Sequence, residues 1–467
     1  MGHGYPDFVL KEMKLKNLFA LGCIASCSAM LGAQAANPPQ PEVREIPLPA
    51  IHTAMKPQPG PSQLPVRIAL PDVLTMNNGQ KVQSAAQWRA RRAEMLSTLE
   101  YYAVGQAPPA PGNVKGEVLQ DQLVRNRTVR YRLVHLTFGP RQSLSLNIGI
   151  FTPADGSKVP VVIAPFGAPP GAAPLLRLPE GGNQGKGEDV LLITGPAHPA
   201  LVAPRRSVET AEEIAAHNPA IAHGDAFVTF DNNDCGEDTT LRLPDGSWAY
   251  RTTRFFPAYP EYNWGLLRAW AWGVERIVDY LVTDPLIAPD KLIVTGVSRT
   301  GKSALIAGAF DERIAMVAPV ASSGGGTPAF RYSGAGRGGH EGLTEMVRKY
   351  PNWFSPHLHE FWEQQDKLPF DAHWFIALAA PRAFLDLEGT HDPNVSFNGL
   401  HQSLQGAKPA FAFFHKEENL GVNFADRPHG MVQDDWDALL AFADAHLLGK
   451  PATRRFDVFP PELLQTK

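Results

Sequence analysis

KLIVTGVSRTGKSALIAGAF, residues 291–310, sets a β-branched strand, a tight glycine turn and a small-residue helix in immediate succession. It supports two incompatible readings. Gly296 to Ser303 (GVSRTGKS) fits G-x-x-x-x-G-K-[ST], a loop whose backbone N–H groups cradle a phosphate. The same residues put Ser298 at the apex of a strand–turn–helix, where a hydrolase nucleophile sits. The first reading calls for a nucleotide and a magnesium-binding acid at a strand end, for which Asp231 and Asp386 are available. The second calls for an acid and then a histidine, each in a loop after a later strand, in the order Ser…Asp/Glu…His.

Outward from this stretch the chain alternates strands and helices. Gln87–Tyr102 has the spacing of an amphipathic helix, and Val129–Phe138 with Leu144–Phe151 alternates like a pair of antiparallel strands. Val159–Ile163, Ala226–Phe230, Met316–Val320, Ala383–Leu387 and Phe411–Phe414 read as short buried strands. Trp264–Leu281 is a long aromatic-rich helix, 343–378 is helical with breaks, and Asp434–Leu447 is a closing helix. Buried strands alternating with helices imply an α/β protein, a mostly parallel sheet covered on both faces, with the antiparallel pair at its N-terminal edge.

The hydrolase reading finds its partners in order. Asp392 follows the strand Ala383–Leu387, and His429 lies in the loop after Phe411–Phe414. A serine hydroxyl is a poor nucleophile. His429 would take the proton of Ser298, while the carboxylate fixes the histidine tautomer and stabilises the imidazolium. The common G-x-S-x-G form is not met, because position 300 is Thr and the glycine comes at 301. Each match has a bland counterpart: a Ser in such a turn is often only a helix cap, and a His before Gly is often a surface residue. Three matches in order, each at a strand end, favour the hydrolase.

Composition narrows the classes. The chain has 467 residues, 44% hydrophobic and 19% charged, with net charge −4. That is ample apolar surface for a core, with no basic excess for nucleic acid. The 43 prolines and 41 glycines suit a loop-rich α/β enzyme. Met13 to Asn17 is basic, Leu18–Leu31 is mostly small and apolar, and Ala33-Gln34-Ala35 resembles a signal-peptidase site. Residues 1–35 are therefore expected to be a signal peptide with an upstream extension (Met1–Glu12), cleaved near Ala35, and the protein periplasmic or secreted. The apolar run is too short to span a bilayer comfortably, and no second one is long enough. A lipoprotein site at Cys23 has an atypical lead-in. An exported chain meets little nucleoside triphosphate, which counts against the phosphate loop. Cys23 and Cys27 fall in the leader, leaving Cys235 alone and no intrachain disulfide; a lone Cys is usually a small buried apolar residue. Residues 36–66 are a Pro-rich arm or linker, and 67–467 a single catalytic domain. Gly-rich 324–326 and 331–342 read as rim loops. His357 and His359 lack a partner cluster for a metal; no metal or cofactor is expected.

Gly-Val-Ser-Arg-Thr-Gly-Lys (296–302) resembles the G-x-S-R-x-G-K signature of the glucuronoyl esterases, carbohydrate esterase family 15, which have the α/β-hydrolase fold. The resemblance continues through NWGLLRAWAWGVERIVDYLVTDP (263–285), HEGLTEMVRKYPNWF (340–354), LPFDAHWFIALAAPRAFL (368–385) and RPHGM (427–431). It implies a metal-free serine esterase that cleaves the ester between glucuronic acid side groups of xylan and lignin alcohols; a monomer is expected. Carried over, Ser298 is the nucleophile and His429 the base. Arg299 stabilises the oxyanion through its backbone N–H and side chain, and Lys302 and Glu341 hold hydroxyls of the uronic acid. The chain departs from the pattern at three positions. Ala321 stands where fungal members carry the catalytic Glu, so the acid is expected at Asp392, with Asp386 and Glu388 as the other candidates. Asn394 stands where many bacterial members carry a Trp that stacks on the sugar; Trp264 and Trp353 are possible substitutes, with core packing the commoner role for each. Val297 replaces a fungal cysteine. The rival readings are an acetyl esterase of xylan, a phosphate-loop nucleotide-binding protein, and a sugar-binding module without turnover.

Overall fold

A computed structural model describes residues 55–179, 201–202, 209–334 and 341–464. The signal peptide and most of the Pro-rich arm expected at 1–66, and the centre of the Gly-rich loop at 331–342, lie outside these residues. The chain divides into two units, Met1–Ile46 and Pro47–Lys467. All elements below belong to the second.

Nine strands form one sheet: β1 Lys115–Val124, β2 Val129–Phe138, β3 Leu144–Pro153, β4 Val161–Ala164, β5 Ala226–Phe230, β6 Leu292–Val297, β7 Ile314–Val320, β8 Ala383–Gly389 and β9 Leu420–Ala425. Their order is β1-β2-β3-β5-β4-β6-β7-β8-β9. Pairing is antiparallel from β1 to β5 and parallel from β5 to β9. The mostly parallel sheet is thus present, but its antiparallel edge holds one strand more than the expected pair. β1 (KGEVLQDQLV) was invisible to patterning because nine of its ten residues are exposed. A strand that buries neither face carries no period-2 signal.

The central strands show the opposite composition. Every residue of β4, β5 and β8 is buried, as expected where helices cover both faces of a sheet. The helix Leu266–Leu281 is buried nearly all round. Its indoles find acceptors inside: Trp270 Nε1 donates to Gly236 O at 2.7 Å and Trp272 Nε1 to Pro108 O at 2.8 Å. The helix Arg299–Phe310 packs against it and against β7.

One expected strand is wrong. Phe411–Phe414 is not a strand; residues 411–413 end a seventeen-residue helix, Phe397–Phe413. The strand that leads to His429 is β9. A short apolar run is ambiguous between strand and helix, and Gly399, Gly406 and Pro409 disguised the helix. The helical signal was nonetheless written: the buried Leu400, Ser403, Leu404, Ala407, Ala410 and Phe411 recur at spacings of three and four. Ser396 caps it, its hydroxyl accepting from Gly399 N at 3.1 Å.

Within the described part of the arm, Pro59 O accepts from Tyr102 Oη at 2.7 Å, and a little further on Arg67 N donates to Asp366 O at 2.7 Å. Among the described residues no helix is long and apolar enough to cross a membrane, and no group of three or more His, Cys, Asp or Glu could hold a metal ion. His357 Nδ1 lies 2.7 Å from Glu360 Oε1, and His359 Nε2 lies 3.2 Å from Pro351 O. Cys235 is a buried free thiol packed beside Gly273, and burial raises its pKa well above the usual thiol value.

Candidate active site

The parallel strands all point one way, so their C-terminal ends share one edge of the sheet, where α/β proteins gather functional loops. β6 ends at Val297 and the next helix begins at Arg299, leaving Ser298 as the whole turn. Ser298 takes φ 58° and ψ −121°, a conformation that costs a non-glycine residue roughly 1–3 kcal/mol. Its neighbours hold it there. Ser298 N donates to Val320 O at 2.9 Å, and Lys302 N donates to Ser298 O at 3.0 Å. A Cβ at Gly301 would lie 2.8 Å from Gly296 O, and one at Gly296 would lie 2.6 Å from Thr300 O. Both glycines are therefore demanded by close backbone approach. Thr300, which stood where the common motif has glycine, bridges the turn: its Oγ1 accepts from Val297 N at 2.9 Å and donates to Val297 O at 2.8 Å.

This geometry disposes of the phosphate loop. That motif needs several residues of loop between strand and helix to wrap an anion. Here Thr300, Gly301 and Lys302 are already helical.

His429 follows β9 and Asp392 follows β8, and the structure joins them: His429 Nδ1 lies 2.7 Å from Asp392 Oδ2. The Asp392 side chain is wholly buried, while His429 is about one-third exposed. Asp392 Oδ1 accepts from Asn394 N at 2.9 Å. A carboxylate on Nδ1 holds the N–H there and leaves Nε2 as the base nitrogen. The histidine loop is moored by Arg427. Its Nε donates to Asp435 Oδ2 at 2.6 Å, its Nη2 to Asp435 Oδ1 at 3.0 Å, and its Nη1 to Pro428 O at 3.0 Å. Both partners of this pair are buried, and removing one partner of such a pair costs about 3–5 kcal/mol.

The other two acids on β8 face different groups. Asp386 Oδ1 accepts from Thr327 Oγ1 at 3.1 Å, and Glu388 Oε1 accepts from Ser322 N at 3.2 Å. Asp386 Oδ2 and Glu388 Oε2 are buried without a hydrogen-bond partner. Burial pushes the Asp386 carboxyl up to about 7. Burial, with Asp386 and Asp392 nearby, raises Glu388 well above the usual range. Raised folded-state values mean that stability is fully present below the unfolded pKa and is lost as pH rises through the folded one. The thermal midpoint should therefore fall between about pH 4 and about pH 7 through Asp386, with Glu388 acting in the same direction. Asp386→Asn should flatten that fall; an unchanged slope in a pH series of melting curves would refute the assignment.

Lys302, one helical turn after Ser298, is 2% exposed. Burial pushes its ammonium down to about 8, with the charge of Glu341 pulling it up and that of Arg299 pushing it further down. Its Nζ stands 5.5 Å from the centre of the Trp353 ring. Glu341 is 9% exposed, packed against Gly324. Trp353 is itself buried, stacked on Tyr350 with ring centres 3.7 Å apart and 4° between planes. Trp264 is buried too, its ring edge-on to Trp272. Both indoles pack in the interior, so neither offers an open face in place of the Trp absent at Asn394.

Arg299 leaves the turn beside Ser298 and donates its Nη1 to Asp238 Oδ2. Its guanidinium lies 5.2 Å from the Trp353 ring centre and 5.9 Å from that of Tyr350. Sequence reading named Trp353 but did not find Asp238, Asn352 or Tyr350 as parts of this region. The available signal was the acid-rich run DNNDCGED (231–238) immediately after the buried strand Ala226–Phe230.

Comparison with known proteins supplies an independent line. The family model described as glucuronyl esterase, fungi, matches residues 196–414. A 4-O-methyl-glucuronoyl methylesterase of Phanerochaete carnosa is 30% identical over 393 residues, covering 82% of this chain and 82% of that protein. Carbohydrate esterase MZ0003, from an unknown prokaryotic organism, is 28% identical over 417 residues, 83% of this chain and 91% of its own. Among solved structures, a promiscuous CE15 esterase from a marine bacterial metagenome superposes with a TM-score of 0.64 at 26% identity, over 83% of this chain and 98% of that one.

Proposed function

The chain belongs to the glucuronoyl esterases of carbohydrate esterase family 15, and from that premise we propose that it hydrolyses esters of glucuronic or 4-O-methyl-glucuronic acid through an acyl-enzyme on Ser298. The natural substrate in this reading is the ester that links glucuronoxylan side groups to lignin alcohols. Such a polymer lies outside the cell, in keeping with the leader read at Met13–Ala35.

Ser298 Oγ attacks the ester carbonyl carbon while His429 Nε2 takes the hydroxyl proton. Asp392, buried on the far side of the ring, stabilises the imidazolium that forms. The carbonyl electrons move onto oxygen, next to the first-turn N–H of Arg299, which has no partner within the helix. The Arg299 guanidinium adds positive charge where the oxyanion develops. The loop after β4, which supplies a second donor in many hydrolases, has two of its N–H groups engaged: Phe166 N on Ala164 O at 3.0 Å and Gly167 N on Phe230 O at 3.3 Å. That raises the weight carried by Arg299. His429 then returns the proton to the departing alcohol. Water, deprotonated by the same nitrogen, attacks the acyl-enzyme and releases the uronate and free Ser298.

The observation that carries the substrate assignment is Lys302, an ammonium buried one turn from Ser298 with Glu341 as its strongest charged influence. A buried cation and a buried carboxylate form a donor–acceptor pair for sugar hydroxyls, and sites built to bond a hydroxyl strongly reject substrates that lack it. An acyl group as small as acetyl would leave both unpaired. Lys302→Met should lower kcat/KM for benzyl glucuronate by roughly 10- to 100-fold, with little effect on 4-nitrophenyl acetate. Equal losses on both esters, or a wild-type preference for acetylated xylose over benzyl glucuronate, would sink the assignment in favour of an acetyl esterase.

A further inference from the structure

Resting on the reading of Arg299 as an oxyanion group, we infer that Asp238 is a positioning residue for this reaction: it holds the Arg299 guanidinium in place and anchors the Trp353 ring behind Lys302.

An arginine beside a nucleophile is effective only if it already points at the developing charge. Left alone, its long side chain samples many rotamers, and ordering it costs conformational entropy. The Arg299 side chain is 37% exposed, so burial alone does not order it. Asp238 does. Its side chain is only 10% exposed and both of its oxygens are engaged. Oδ2 accepts from Arg299 Nη1. Oδ1 accepts from Trp353 Nε1 at 2.9 Å and from Asn352 Nδ2 at 3.2 Å. The same carboxylate thus fixes the guanidinium from one side and the indole from the other. Trp353 in turn faces both cations, with Arg299 and Lys302 within 5.5 Å of its ring centre, inside the range of cation–π attraction.

Asp238 is itself held rigidly. It closes the turn after β5, in which the neighbouring acids bind Arg177, Leu178 and Arg254. Asp231 pairs with Arg177, and Arg254 reaches Glu237 at 2.6 Å. Leu178 N donates to Glu237 Oε2 at 3.0 Å, and Asp238 N donates to Asn233 Oδ1 at 3.1 Å. Asp231 and Glu237 carry loop-to-loop ties. Asp238 alone among the acids of this turn reaches the residue next to Ser298.

The test compares Asp238→Asn, Asp238→Glu, Arg299→Ala and the double variant Asp238→Asn/Arg299→Ala on benzyl glucuronate and on 4-nitrophenyl acetate. Asparagine keeps an acceptor for Trp353 and Asn352 but turns an amide toward Arg299. Asp238→Asn should lower kcat on both esters by roughly 10- to 100-fold, with KM changed by less than about threefold, and Asp238→Glu should recover part of the loss. In the double variant the loss should not exceed that of Arg299→Ala alone, because Asp238 acts through that residue. An unchanged kcat in Asp238→Asn, or losses that multiply in the double variant, overturns the inference. A wild-type enzyme that cleaves 4-nitrophenyl acetate but not benzyl glucuronate would refute the substrate assignment, yet leave the Asp238–Arg299 coupling measurable on the acetate.

Discussion

Ser298→Ala is expected to lower kcat by about six orders of magnitude while leaving the folded chain intact. Attack, proton transfer and acyl-enzyme formation all pass through one oxygen, and the neighbouring hydroxyl of Thr300 is engaged with Val297 N and O. The side chain is not needed for folding, because the turn is held by backbone: Ser298 N on Val320 O, Lys302 N on Ser298 O, and two glycines in close approach. Ser298→Gly goes one step further. The residue is held at φ 58° and ψ −121°, which glycine adopts without strain. The glycine variant should be as inactive as the alanine variant, yet more stable than wild type by about 1 kcal/mol. Denaturant midpoints of the three proteins decide this. A glycine variant less stable than wild type would show that the turn stores no strain. Residual turnover by the alanine variant, at more than about a thousandth of the wild-type rate, would remove Ser298 from the mechanism.

Asp392→Asn should lower kcat by about 10⁴-fold with little change in KM. The geometry gives the reason. Asp392 Oδ1 is taken by Asn394 N and Oδ2 by His429 Nδ1. In the variant the amide oxygen stays on Asn394 N, so the NH₂ group faces Nδ1. The imidazole must then carry its proton on Nε2, where it cannot accept the proton of Ser298. The side chain is fully buried, so water cannot readily take the place of the lost acceptor. Asp386 and Glu388 do not hold the ring in the folded protein: their bonded oxygens lie on Thr327 and Ser322, and the histidine bonds to Asp392. A loss below about tenfold would show that another acid orients His429.

The chemistry of the site was more legible than its scaffolding. Ser298, Asp392 and His429 could be put forward as candidates because the order Ser–acid–His follows the order of strands, and the structure brings Asp392 and His429 together. Lys302 and Arg299 could be put forward because they belong to the same unbroken motif as Ser298. The choice of Asp392 over Asp386 and Glu388 rested on a loop position and on a family comparison. The structure adds the physical distinction, since the two strand residues bond inward and Asp392 alone bonds to the histidine. The strand expected at Phe411–Phe414 was misread from four apolar residues taken without the helical spacing that precedes them. β1 was missed because it buries almost nothing.

What the sequence determined by itself is what is encoded between near neighbours. Period-2 runs marked β2 and β3, buried β-branched runs marked the central strands, and GVSRTGK (296–302) marked a turn too tight for anything but glycine at 296 and 301. What only the tertiary structure decided lies between residues far apart in the chain. Arg299 and Asp238 are 61 positions apart, His429 and Asp392 are 37 apart, and Trp353 meets Asp238 across 115. Local pattern follows from the repeat of the backbone, which any short window contains. A long-range partner follows from the order in which strands enter a sheet, and that order is set by the burial of the whole core at once.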